Sequence, residues 1–88
     1  MPRFYFDIHE NGVADRDDDG FDLQDISVAR EQAILAIKDS VADKVTESAL
    51  IDLSTAYVEI RDDEGRVVET VRYRDALGMS WPPPVFTA

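Results

Sequence analysis

The most specific chemical pattern in the sequence is Asp15-Arg16-Asp17-Asp18-Asp19-Gly20. Asp15, Asp17 and Asp19 alternate and Gly20 follows. This reproduces the first half of the calcium loop D-x-D-x-D-G, in which alternate carboxylates converge on a hard cation and the glycine makes the sharp turn. The second half fails. The twelfth position, where a bidentate glutamate belongs, is Ile26, and the eighth, usually apolar, is Asp22. Two expectations follow for this loop. One is weak calcium binding by Asp15, Asp17 and Asp19 with water completing the shell. The other is a solvated acidic turn ahead of a helix N-terminus, where negative charge is favourable.

Other chemistry has little to work with. His9 is the only histidine, so no paired-histidine metal site can form. Ser27, Ser40, Ser48, Ser54 and Ser80 are available as nucleophiles, but none sits in a recognisable elbow motif. The chain has no cysteine, which excludes disulfides, thiolate zinc sites and a cysteine nucleophile. Its four glycines are dispersed and form no phosphate loop. These residues predict a protein that is not an enzyme and carries no cofactor.

Composition narrows the partners. The chain has 88 residues, 44% of them apolar, enough for one domain with one modest core. Nineteen acids against nine Lys and Arg give a formal charge of -10. That balance repels phosphate backbones and anionic membrane surfaces, so neither nucleic acid nor membrane is an expected partner. It suits solubility and a basic partner. No apolar stretch approaches membrane-spanning or signal length, and the expected location is cytoplasmic.

The elements that must position these residues are legible from periodicity. From Arg3 to His9, Phe4, Phe6 and Ile8 fall on one face and Tyr5, Asp7 and His9 on the other, the period-two pattern of a strand. Asn11-Gly12 is a two-residue hairpin signal, with a short return strand starting near Val13 and Ala14. Phe21 and Leu23 add two alternating apolar positions after Gly20. Asp25 is a good N-cap for a helix from Ile26 to about Val45. In that helix Ile26, Ala29, Ala33, Ile37 and Val41 form the core stripe, with Ile34 and Val45 on its flank.

Val28, Leu35 and Ala42 are spaced seven apart and point away from that stripe. They read either as scattered surface apolar residues, which are normal, or as a second packing surface, most simply a dimer contact. Thr46 to Ser54 is ambiguous between helix and packed loop. Ala56 to Arg61 reads as a strand, Asp62-Asp63-Glu64-Gly65 as a turn, and Arg66 to Tyr73 as the partner strand. The last pattern is imperfect. Val67, Glu69, Val71 and Tyr73 share a face and Val68 sits on the other, which a bulge or burial on both sides would reconcile. Arg61, Arg66, Arg72 and Arg74 concentrate on this hairpin and are read as neutralising the acidic loop within the chain or as a head-to-tail contact between chains.

The expected architecture is thus α+β: a small antiparallel sheet with one amphipathic helix on one face, in the order β-β-α-β-β. The single domain spans 1–74, and 75–88 is a proline-rich tail. There, Trp81-Pro82-Pro83-Pro84 favours extended polyproline conformation and is a candidate ligand for an aromatic groove.

The opening Met1-Pro2-Arg3-Phe4-Tyr5-Phe6-Asp7 carries a family resemblance. So do Asp17, Gly20, Leu23 and Asp25, the helix signature Ala29-Arg30-Glu31-Gln32-Ala33, and the hairpin Val58-Glu59-Ile60-Arg61-Asp62-Asp63-Glu64-Gly65-Arg66. Together they resemble a family of short proteins of unknown function from rhizobia and related alphaproteobacteria. The resemblance covers residues 1 to about 73. It implies a compact single domain in a bacterial cytoplasm, and no established activity or site. The element order is also loosely similar to small antitoxin-like domains of the HicB type. The expected function is a non-enzymatic protein-interaction or regulatory module. Its expected partner is another protein or a second copy of the chain through Val28, Leu35 and Ala42. The alternatives are a weak calcium-binding domain and an antitoxin-like regulator that binds a basic partner.

Overall fold

A computed structural model describes residues 1–46 and 52–78 of the chain. The fold is α+β, as expected. A five-stranded antiparallel sheet packs one long helix on one face, and two short elements join the expected order. Strands β1 (Arg3–Glu10), β2 (Val13–Asp15) and β3 (Phe21–Asp22) precede helix α1 (Ile26–Thr46). Strands β4 (Tyr57–Arg61) and β5 (Val67–Arg72) follow, and then a short helix α2 (Tyr73–Ala76). The sheet order is β2-β1-β4-β5, with β3 also paired to β1. Of the ambiguous stretch Thr46 to Ser54, residues 47–51 lie outside the described residues, and so do Trp81 to Pro84 in the tail.

The first hairpin forms for a local reason. Glu10 pairs with Val13, which leaves Asn11-Gly12 as the two-residue loop, and both adopt positive φ, 52° and 78°. That conformation matches the twist of the flanking strands. β2 is brief because the acidic run follows it, and the chain rejoins β1 further back, where Phe4 pairs with Phe21.

Helix α1 starts where the sequence places it. The Asp25 carboxylate accepts the Val28 N–H at 3.0 Å, and its carbonyl accepts the Ala29 N–H at 3.1 Å. Ala29 and Ala33 are completely buried, and their small side chains let the helix sit close to the sheet. The core joins them and Ile37 to Phe4, Ala56, Val58, Ile60, Val71, Tyr73 and Ala76. The helix packs mainly on β4, β5 and α2, offset toward the β5 side of the sheet. Arg30 pairs with Glu69 of β5 on that flank.

The imperfect pattern of the last strand has a bulge as its cause. Ile60 pairs with Glu69 but Arg61 pairs with Val67, so Val68 is the extra residue. Val67 and Val68 are 49% and 44% exposed, which excludes burial on both sides. Tyr73 extends the ladder by one bond, its N–H to the Ala56 carbonyl at 3.1 Å, and then opens α2 instead of ending the strand. The expected break between residues 74 and 75 lies inside this helix. Ala76 is buried and Leu77 packs on the core. Gly78 takes positive φ just past α2.

Candidate functional site

The acidic loop is built around Asp17. Its Oδ2 accepts the Phe6 N–H at 3.1 Å, and its Oδ1 accepts the N–H groups of Asp19 and Gly20, both at 3.1 Å. Phe6 stands on β1 between the stretches paired with β2 and with β3, where no strand supplies an acceptor. The Asp17 carboxylate fills that gap in the ladder, as an otherwise unpaired backbone N–H requires. Asp15 and Asp19 are exposed. Among the described residues no group of three or more histidine, cysteine or acidic side chains is placed to hold a metal ion. Asp15, Asp17 and Asp19 are not brought together as a ligand set.

Beneath the loop lies an ion pair that sequence reasoning missed. Asp7 is 7% exposed although it faces away from the helix. Arg61, opposite Tyr5 and so diagonal to Asp7 across the β1–β4 ladder, donates from Nε to Asp7 Oδ2 at 2.6 Å and from Nη2 to Oδ1 at 3.0 Å. The same Nη2 donates to the Asp17 carbonyl, and the Asp17 N–H donates to Asp7 Oδ1, both at 3.0 Å. The guanidinium also lies 5.1 Å from the Tyr5 ring centroid, a cation–π distance. The Arg61 hydrogen bonds, with help from the Asp17 N–H, hold the Asp7 carboxyl below its ordinary pKa despite burial.

His9 shares this outer face. Its ring stacks on Tyr57 at 4.3 Å, and Nε2 lies 2.7 Å from Glu59 Oε1. The contact is an ion pair when the imidazole is protonated, but its angle does not make a hydrogen bond. On this outer face the buried carboxylate of Asp7 has its charge matched by Arg61.

The helix-side face is different. Because α1 lies over β4 and β5, the edge formed by β1, β2 and β3 is left as a groove beside the helix. Its larger end is a cavity of about 500 Å³. Phe6, Ile8, Phe21 and Leu23 form the floor, Gln32 and Ala36 the helix wall, and Asp15, Asp17, Asp18 and Asp19 the rim, with Arg16 as the single basic lining residue among the described residues. Phe6 and Phe21 meet at 5.7 Å between ring centroids, and Phe21 is 59% exposed. The other end, about 430 Å³, shares Ile8 and Asp15 and adds Glu10, Val13, Ala14 and Ser40.

Glu10 continues the inward phase of Phe4, Phe6 and Ile8. Its Oε2 accepts Ser40 Oγ–H at 2.9 Å and Tyr73 O–H at 2.5 Å. Burial, reinforced by the Glu10 carboxylate, pushes the Tyr73 hydroxyl well above its usual pKa, so it remains a donor. Sequence reasoning ended the strand at His9 and missed Glu10; a carboxylate in the apolar phase of the strand is the signal that could have found it. Of the expected interaction residues, Leu35 is 54% exposed, Ala42 is exposed and Val28 is half-buried. With 3.6 residues per turn, Val28 and Leu35 stand on the helix flank that descends through Gln32 and Ala36 into the groove.

These features define a small two-layer α+β domain with a one-sided helix and an acid-rimmed groove. The chain belongs to the domain-of-unknown-function family DUF6894, whose model matches residues 3–74. Neither the curated proteins nor the solved structures contain a match to it. Among the described residues no helix is long and apolar enough to cross a membrane.

Proposed function

We propose that this domain is a non-enzymatic, cytoplasmic interaction module whose groove takes a basic segment of a partner protein with an apolar residue seated on Phe6 and Phe21. The observation that carries this reading is an apolar floor inside an acidic frame. Apolar contact supplies affinity, while the rim selects positive charge and repels acidic competitors. The contrast between the two sheet faces supports it. Arg61 matches the charge of Asp7 on the outer face, whereas four aspartates against one arginine line the groove among the described residues. An antitoxin-like regulator that binds a basic partner falls within this class.

Titration with a short peptide of alternating leucine and lysine, followed by calorimetry, tests the proposal. Binding is expected to weaken steeply with salt. Phe21→Ser is expected to weaken it by about thirtyfold, since burying an aromatic side chain contributes roughly 2 kcal/mol. Affinity indifferent to both salt and Phe21→Ser would overturn the reading.

The exposure of Leu35 favours a second reading, self-association through the outer flank of α1. Salt separates the two. Chains carrying a formal charge of -10 repel, so self-association strengthens as salt rises, the opposite of the peptide's behaviour. In sedimentation experiments this reading expects a dimer at high salt that Leu35→Asp converts to monomer. A monomer at every salt concentration removes it.

A further inference from the structure

We propose that the Glu10 end of the groove is a subsite for one cationic side chain, arginine or lysine, so that the groove reads an apolar residue and a positive charge in sequence. This deepens the reading of the groove as a binding site for a basic segment and rests on it. Glu10 occupies an inward position on β1, and among the described residues no basic side chain pairs with it. The described residues that line its end of the groove with it are Ile8, Val13, Ala14, Asp15 and Ser40, none of them basic. Two hydroxyls from separate helices fix the carboxylate, Ser40 from α1 and Tyr73 from α2, and both donate to the same oxygen, Oε2. Oε1 accepts no hydrogen bond from the described residues. The carboxylate is therefore oriented before any ligand arrives, with one oxygen left to accept beside the apolar side chains of Ile8, Val13 and Ala14. A preorganised anion beside apolar walls gains most from a cation that brings its own hydrogen-bond donors.

The test compares acetyl-Phe-Gly-Arg-amide with its citrulline counterpart, which has nearly the same shape and no charge, by backbone-amide NMR shifts on the full chain. The arginine peptide is expected to bind about tenfold tighter than the citrulline peptide, the difference a charge-assisted hydrogen bond makes. Glu10→Gln keeps an amide oxygen for both hydroxyls and removes the charge. In it the preference is expected to fall to within about twofold, while shifts at Phe6, Phe21 and Gln32 persist. Equal binding of the two peptides to the wild-type chain, or a preference that survives Glu10→Gln, overturns the subsite and leaves the groove standing. The wild-type comparison needs no variant and decides the matter even if Glu10→Gln does not fold. Absence of shifts at Phe6, Phe21 and Gln32 with either peptide overturns the groove itself.

Discussion

Replacing Arg61 by alanine is expected to lower the unfolding free energy by about 3 kcal/mol, because it strands a carboxylate that is already out of water. The Asp7 and Arg61 side chains are 10% and 11% exposed. The pair itself adds little over an apolar substitute, since desolvation offsets most of the attraction. Removing one partner is different, because the desolvation remains and the compensation is lost. Arg61→Ala also deletes the bond to the Asp17 carbonyl and the contact over Tyr5, so the acidic loop loses its anchor on β4. Urea denaturation measures the effect as a lower midpoint at unchanged slope. A cycle with Asp7→Ala is expected to show strong coupling, with the double variant less damaged than the two losses added. An Arg61→Ala chain within about 0.5 kcal/mol of wild type would show that the pair is ordinary surface charge.

The pH dependence of that difference has a definite sign. The folded state holds the Asp7 carboxyl below its ordinary value, chiefly through the Arg61 hydrogen bonds. A depressed folded pKa means that the unfolded chain binds the proton more readily. The pair's contribution is then fully present above the unfolded aspartate pKa, near ~3.9, and is lost as pH falls through the folded value. The stability gap between wild type and Arg61→Ala is therefore expected to hold at neutral pH and to narrow in acid. In the variant, protonation also relieves the stranded charge. Comparing the two chains cancels the acid sensitivity they share through other carboxylates held low, such as Asp52 by Ser54 and Asp62 by the Arg66 N–H.

What the sequence disclosed was governed by distance along the chain. The Asn11-Gly12 turn and the Asp25 cap depend on a few adjacent residues, and both are where the pattern placed them. The core stripe was legible because helical spacing alone selects Ala29, Ala33 and Ile37. Val68 marks the limit of such reading. The broken alternation showed that something was irregular, but choosing a bulge required the partner strand's register. The acidic loop shows the same limit from the chemical side. Alternating aspartates before a glycine suit a cation, and they equally suit a carboxylate that accepts its own loop's N–H groups; the difference lies in Phe6, on another element. Asp7 and Arg61 are 54 positions apart and sit on an outward-facing phase, so nothing local marked them as buried. The groove was least legible, because it exists only through the helix's offset toward β5.

Gly20→Ala is expected to be nearly as damaging as the loss of Arg61, for a steric reason that reaches the same loop. Gly20 has φ +71°, where an L side chain is strained, and a Cβ there would lie 2.8 Å from Tyr5 Cε2 and 2.9 Å from the Phe4 carbonyl oxygen. The tyrosine ring could tilt, but it is also the surface over which the Arg61 guanidinium lies. The carbonyl belongs to β1, at the residue paired with Phe21, and cannot swing away without opening that pairing. Left-handed strain of about 1 kcal/mol and overpacking of about 2 kcal/mol together predict a loss of about 3 kcal/mol. Gly12→Ala separates the two causes. Gly12 has φ +78° but open space around its Cβ position, so only the strain of about 1 kcal/mol is expected there. Equal losses at the two positions in thermal or urea unfolding would sink the steric argument. A larger loss at Gly20 carries a functional consequence. Displacing this turn moves Asp17 and Phe21, which are rim and floor of the groove, so the Gly20→Ala chain, held below its melting temperature, is expected to bind the leucine–lysine peptide more weakly than the Gly12→Ala chain. The glycine that completed the calcium-like spacing is then required because it lets the loop close against Tyr5 and β1 and sets the groove's acidic edge in place.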